Sequence, residues 1–232
     1  MKIAIMQPYI FPYIGYFQLM KEVDTMIFLD DVNFINKGWI NRNRILVNGK
    51  DFLFTLDLKG ASQNKKINEI DLGIDEKWKK KFLRTIEEAY KKAPCYESAR
   101  MIIEQVFSTT ETNLSRFIFQ SFSLINGYLG INTRLVASSS VYGGNELKGQ
   151  ERIRFICEAE KATEYINPPG GQELYDNDFF TQKQIELSFL QPSITAYPQF
   201  SNEFVPGLSI IDVMMFNSKE VILNNLLKAG RK

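Results

Sequence analysis

The sequence predicts an α/β protein, with a mostly parallel, Rossmann-like sheet flanked by helices and a helical insertion. Three observations lead there. Short apolar runs alternate with amphipathic, helix-like stretches. Several runs end in turns rich in Gly, Pro, Ser or Asp, where α/β sheets collect ligands. Between residues 75 and 129 the pattern is helical throughout, without an intervening strand.

The first strand is the apolar run KIAIM, residues 2–6. It leads into QPYIFPYIGY, residues 7–16, a turn stiffened by Pro8 and Pro12, in which Gly15 permits close backbone approach. A helix follows and breaks at Val23-Asp24. The second strand, residues 26–29, ends in Asp30-Asp31. This order is a βαβ unit, whose crossover is expected to be right-handed. Residues 44–47 and 51–56 flank Asn48-Gly49, the two-residue loop favoured in a type I′ hairpin. Phe52, Phe54 and Leu56 alternate as in a half-buried strand.

Asp75 is expected to cap a helix whose inner face is Trp78, Phe82, Ile86 and Tyr90 and which stops before Pro94. Met101, Ile102 and Val106 suggest a second helix. Leu114, Phe117, Ile118, Ser121, Ile125 and Tyr128 suggest a third. The α/β pattern then resumes. Residues 133–137 form a strand before Ser138-Ser139-Ser140, and residues 148–158 a helix with Ile153, Ile156 and Cys157 inward. Residues 163–166 form a strand before NPPGG, and residues 185–190 a further strand. Ser209 and Ser218 are expected to cap the last two helices, the final one ending near Gly230, with residues 228–232 as its frayed terminus. The chain is expected to be one domain, 1–232, with 75–129 as an insertion or subdomain.

Composition excludes several functions. The 232 residues carry a net charge of +1, which points to neither nucleic acid nor a membrane surface. No apolar run reaches the roughly 18 residues of a membrane span, and the start does not resemble a signal peptide. Two cysteines, Cys95 and Cys157, are expected to be buried thiols in a reducing cytoplasm. The chain has no histidine, so Ser-His-Asp and Cys-His catalysis and His-containing zinc sites are excluded within it. No metal site is expected.

Five segments could carry chemistry. In residues 7–16, Gln7, Tyr9, Tyr13 and Tyr16 can stack on a ring and hydrogen-bond to it, with Gly15 beside them. Asp30 and Asp31 should point to opposite sides of their strand, so one could face a crevice and act as a base. Lys37, Trp39, Arg42 and Arg44 suit a phosphate or carboxylate beside a planar group, although a charged edge strand would look the same. Ser139 and Ser140 could hold an oxyanion or sugar hydroxyls, and Lys148, Glu151 and Arg152 of the next helix could reach the same crevice. Gly170 and Gly171 offer bare backbone, with Tyr165 and Tyr175 alongside.

These segments resemble the WbqC-like family over nearly the whole chain. The matching stretches are IAIMQPYIFPYIGYF, FLDDVNF, WINRNRIL, SSSVYG, KGQERI, ATEYINPPGGQELYD and FVPGLSIIDVMMFN. The resemblance implies work on a sugar-linked substrate in bacterial surface-polysaccharide biosynthesis, of the O-antigen or lipopolysaccharide type. Transfer of an acyl or aminoacyl group to an amino sugar is the activity it suggests. The partners would be a sugar-linked small molecule, such as a nucleotide sugar, and an acyl donor or carrier. The opening strand, turn and helix also resemble HUP-type nucleotidyltransferases, though without their histidines. A nucleotide-dependent ligase and a non-catalytic glycan- or partner-binding module are therefore the alternatives.

Overall fold

The computed structural model describes residues 1–200 and 203–231. β1 (Lys2–Met6) leads through the aromatic turn to α1 (Ile14–Glu22) and back to β2 (Thr25–Phe28). The hairpin β3 (Arg42–Val47) and β4 (Lys50–Thr55) follows, then the short pair β5 (Leu58–Lys59) and β6 (Asp71–Leu72). Three helices come next: α2 (Glu76–Tyr90), α3 (Tyr96–Phe107) and α4 (Leu114–Leu129). The chain re-enters the sheet as β7 (Arg134–Val136), α5 (Gly149–Ala159), β8 (Glu164–Asn167), α6 (Asn177–Thr181) and β9 (Glu186–Gln191). It closes with α7 (Ile210–Phe216), α8 (Lys219–Val221) and β10 (Gly230–Arg231).

The main sheet has the order β10-β9-β8-β1-β2-β7. The five strands from β9 to β7 are parallel, and β10 is an antiparallel edge. The chain therefore moves outward on one side of β1, through β2 and β7, and then on the other, through β8 and β9. This is a doubly wound arrangement, and its strand order reverses between β1 and β8.

Alternation along the central strands divides the core between two faces. Ala4, Met26 and Phe28 pack with α1, α4 and α7. Ile3, Ile5, Ile27 and Tyr165 pack with Ile153, Ile156 and Cys157 of α5 and with Phe180 of α6. Both faces are covered, which is why the strands read as near-continuous apolar runs. The α4 helix packs directly on the sheet. Phe122 stacks on Phe17 at 5.5 Å and meets Phe28 edge-on at 5.0 Å.

The capping chemistry expected from sequence is present. Asp75 accepts from the Trp78 N–H, Ser209 from Ile211 and Ser218 from Val221. Asn48 and Gly49 have φ of 52° and 74°, as a type I′ turn requires. Other expectations are corrected. Met101 is exposed, because Ala99, Ile103, Val106 and Phe107 form the inner face of α3. Phe52 is also exposed, whereas Phe54 and Leu56 are buried. Cys157 is buried but Cys95 only partly so. The C-terminal segment is not a frayed helix. The last helix gives way to a π-turn over Ile222–Leu226, and Gly230 and Arg231 pair with Gln191 and Leu190. Lys232 lies outside the described residues.

Candidate functional site

The loops after β1, β2, β7 and β8 surround a crevice of about 670 Å³ at the carboxyl edge of the parallel sheet. That volume falls within the range of small-molecule sites, and its place beside the strand-order reversal is where doubly wound sheets bind ligands. Gln7 lines it from the end of β1. Leu29, Asp31, Val32 and Asn33 line it from beyond β2. Asn145, Leu147 and Lys148 come from the loop after β7, followed by Gly149, Gln150, Arg152 and Ile153 of α5. Leu174 and Tyr175 close it from beyond β8, and Lys66 reaches it from the segment before β6.

Lys66 is placed by local pairing. The Ile67 N–H donates to Val32 O and the Phe34 N–H to Lys65 O, so residues 32–34 and 65–67 run side by side. Neither the Lys66 nor the Lys148 ammonium has a carboxylate partner among the described residues. The lining thus presents three cations, Lys66, Lys148 and Arg152, against one carboxylate, Asp31. Leucines and Tyr175 supply apolar surface.

At the base of the crevice the Arg152 Nη2 donates to Asp31 Oδ2 at 2.8 Å, with both side chains buried. Ser139 Oγ donates to Asp31 Oδ1. Arg152 also donates from Nη2 to Ser139 O at 2.9 Å and from Nη1 to Gly143 O. This satisfies a charge that would be costly to bury alone. Each Asp31 oxygen keeps a second lone pair for another donor.

Asp30 and Asp31 lie just beyond β2 and diverge, each held by its own partners. Asp30 accepts from Ser115 Oγ of α4 at 2.7 Å and from Ser138 Oγ of the loop after β7 at 2.6 Å. Burial raises its pKa above the usual carboxylate value, and the two hydroxyls partly oppose that. Asp30 does not line the crevice.

Of the residues singled out in the sequence, Gln7, Asp31, Lys148, Arg152 and Tyr175 line the crevice together. Ser139 supports them from behind, and Ser140 accepts from Asn68 Nδ2 at 3.1 Å. Tyr165 is buried and does not line the crevice; it stacks on Phe180 at 5.8 Å, and its hydroxyl lies 3.3 Å from that of Tyr175, which does. Gly171 packs closely against Asn167 and Tyr175. Gly170 lines a separate depression with Pro169, Gln172 and Glu173. Lys37 is exposed on a turn outside the crevice.

Tyr9, Tyr13, Tyr16, Trp39, Arg42 and Arg44 form a second cluster, which does not line the crevice. Tyr9 meets Tyr16 edge-on at 5.5 Å and Trp39 at 6.2 Å, and Tyr13 meets Tyr16 at 6.4 Å. Gly15 packs tightly within this cluster: a Cβ there would fall 2.4–2.7 Å from the Tyr13 ring and hydroxyl. Tyr16 links the two places, since its hydroxyl donates to Gln7 O at 3.1 Å. Burial raises the Tyr16 hydroxyl pKa, so it remains a donor at neutral pH.

Sequence reasoning did not separate Arg152 from Lys148 and Glu151, and it missed Lys66, Asn33, Asn145 and Gln150 as lining residues. Helical spacing distinguishes Arg152, which lies four positions before the inward Ile156 and so shares its face. Lys66 had no such signal, because it arrives through loop pairing.

The fold and crevice define a doubly wound α/β protein with a lysine- and arginine-lined crevice at its switch point. The WbqC-like protein family model matches residues 7–223, and the chain belongs to that family. It is also similar to the uncharacterized protein Rv1507c of Mycobacterium tuberculosis, with 32% identity over 220 residues, covering 93% of each chain. No solved structure matches it. Among the described residues no helix is long and apolar enough to cross a membrane.

Proposed function

We propose that this protein is a group transferase of bacterial surface-glycan assembly that binds a phosphorylated, sugar-linked substrate in the crevice. The observation that carries this reading is the pair of ammonium groups, Lys66 and Lys148, without carboxylate partners above the buried Asp31–Arg152 pair. Two cations across an apolar-walled cleft suit a phosphate or diphosphate, and Tyr175 with Leu174 suits the face of a ring. The surface-glycan setting comes from the family resemblance.

In the acyl or aminoacyl version, an amino group on the sugar attacks the carbonyl carbon of an ester or thioester donor. The new C–N bond forms, the donor C–O or C–S bond breaks, and the amine proton ends on the departing oxygen or sulfur. Asp31 is the carboxylate in the crevice. With no histidine in the chain, it is the group assigned to relay that proton, through the lone pairs that Ser139 and Arg152 leave open.

The test is a thermal-shift screen with nucleotide sugars and sugar phosphates, followed by turnover assays with acyl donors. A ligand at a hundred times its Kd raises apparent stability by about 2.7 kcal/mol. Lys148→Ala and Lys66→Ala should each weaken the hit about tenfold. Asp31→Asn should retain binding and lose about 10²–10⁴-fold in turnover. No shift with any phosphorylated sugar would refute the substrate class; full turnover by Asp31→Asn would refute the proton relay.

The sheet order favours one second reading. Doubly wound sheets bind nucleotides at this switch point, so a HUP-type nucleotide-dependent ligase would use the same crevice. ATP binding with pyrophosphate release would select it. Tight glycan binding without turnover would select a non-catalytic module.

A further inference from the structure

We propose that Trp39, Arg42, Arg44 and Tyr9 form a second binding surface, outside the crevice, for an oxyanion carried on a ring. Trp39 is about half exposed, and its indole sits within cation–π range of two guanidiniums. The Arg42 and Arg44 Cζ atoms are each 5.6 Å from the ring centroid. Tyr9 borders the same ring at 6.2 Å.

The charges here are incompletely matched. The Arg42 Nε donates to Gly38 O at 2.8 Å, which orients its guanidinium without neutralising it. Arg44 meets Asp51 at 3.3 Å across the exposed face of the hairpin. The Arg44 Nε is buried and has no hydrogen-bond partner among the described residues. Two guanidiniums with one carboxylate leave a net positive charge, and planar forks of donors match a carboxylate or phosphate. The indole beside them adds an apolar face for the ring that bears the anion.

The surface is also rigid. Six residue pairs hold β3 to β4. Asn43 Nδ2 donates to Ile10 O and Phe11 O, the Ile10 N–H to Ile40 O, and the Ser209 N–H to Arg44 O. The donors are thus largely preorganised, which lowers the entropic cost of binding. An edge strand that merely repels aggregation needs charge at its border, but neither a half-exposed indole between two arginines nor this degree of tethering. The surface adjoins the crevice through Tyr9 and Tyr16, whose hydroxyl meets Gln7 O.

Tryptophan fluorescence tests this on the whole chain, which has Trp39 and Trp78 as reporters. The probes are galacturonate, glucose 1-phosphate, benzoate and neutral glucose at low ionic strength. At least one charged ring should change emission saturably, and glucose at equal concentration should not. Comparing the charged probes distinguishes carboxylate from phosphate and a sugar ring from a flat one. The response should vanish in Trp39→Phe, weaken at least tenfold in both Arg42→Gln and Arg44→Gln, and change less than twofold in Lys148→Ala. Arg42→Gln guards against a folding defect in Arg44→Gln, and unchanged circular dichroism qualifies each variant. The proposal fails if no charged ring gives a saturable response or if glucose matches the charged probes. It also fails if Lys148→Ala abolishes the response, which would move the ligand into the crevice. The crevice reading stands or falls separately, on its own thermal shifts and its lysine variants.

Discussion

The Arg152 guanidinium lies 2.8 Å from the Asp31 carboxylate, joining two residues 121 positions apart in sequence. It ties the loop after β2 to the first turn of α5 at the base of the crevice. Breaking a buried pair from one side leaves an uncompensated charge, so Arg152→Leu should cost about 3–5 kcal/mol in urea unfolding. Arg152→Leu combined with Asp31→Leu should cost less than the sum of the two single changes. A single-variant loss below about 1 kcal/mol would show that the pair is not buried in solution.

Asp30 makes a different prediction, with a definite sign. Its pKa is raised above the ordinary 3.8 by burial, with Ser138 and Ser115 pulling the other way. The folded chain therefore holds this proton more tightly than the unfolded chain. The stability it contributes is full below the unfolded pKa and is lost as pH rises through the folded one. Asp30→Asn has no such charge to bury, so it should gain stability relative to wild type as pH is raised from 4 to 7. An advantage that shrinks over that range would contradict the assignment.

A further buried carboxylate, Asp212 of α7, holds the segment before it. Asp212 accepts from the hydroxyls of Tyr90 at 2.8 Å and Tyr197 at 2.7 Å, and from Gln199 Nε2 at 2.7 Å. Its pKa is also raised by burial, so its pH sign is that of Asp30. Asp212→Ala leaves buried donors unpaired and should cost roughly 2–4 kcal/mol. Limited proteolysis should then open the chain between residues 192 and 200. An unchanged cleavage pattern would show that Asp212 does not anchor that segment.

The two cysteines should differ in reactivity. Burial pushes the Cys157 thiol up to about 12, while Cys95 is partly exposed, with a smaller rise of the same origin. Iodoacetamide at mildly alkaline pH should modify Cys95 first and Cys157 only on global unfolding. Mass spectrometry of the peptides decides it; equal labelling of the folded chain would refute the burial of Cys157.

Much of the fold was legible because its signals are local. The type I′ turn needs positive φ at two positions, and Asn48-Gly49 supplies them. Asp75, Ser209 and Ser218 cap because their side chains reach amides two or three residues ahead. The divergence of Asp30 and Asp31 was expected from strand alternation, but β2 ends at Phe28 and separate side-chain partners hold the two apart. Met101 misled because a four-residue period fits more than one helix face, and only packing against α4 and α7 selects Ala99 and Ile103. The C-terminal strand was invisible because Gly230 and Arg231 pair with residues some 40 positions earlier.

The candidate site divided along the same line. Residues 7–16, Asp31 and Lys148 stood out through composition and their place at strand ends, and the absence of histidine removed whole classes of chemistry. Local sequence therefore determined the elements, their caps and which side chains were available to react. Tertiary structure alone decided that Arg152 closes on Asp31, that Lys66 joins Lys148, and that Trp39 with its arginines lies beside the crevice rather than in it. Those relations depend on strand order and loop pairing. Both are set by long-range burial of two sheet faces, which no short stretch of sequence records.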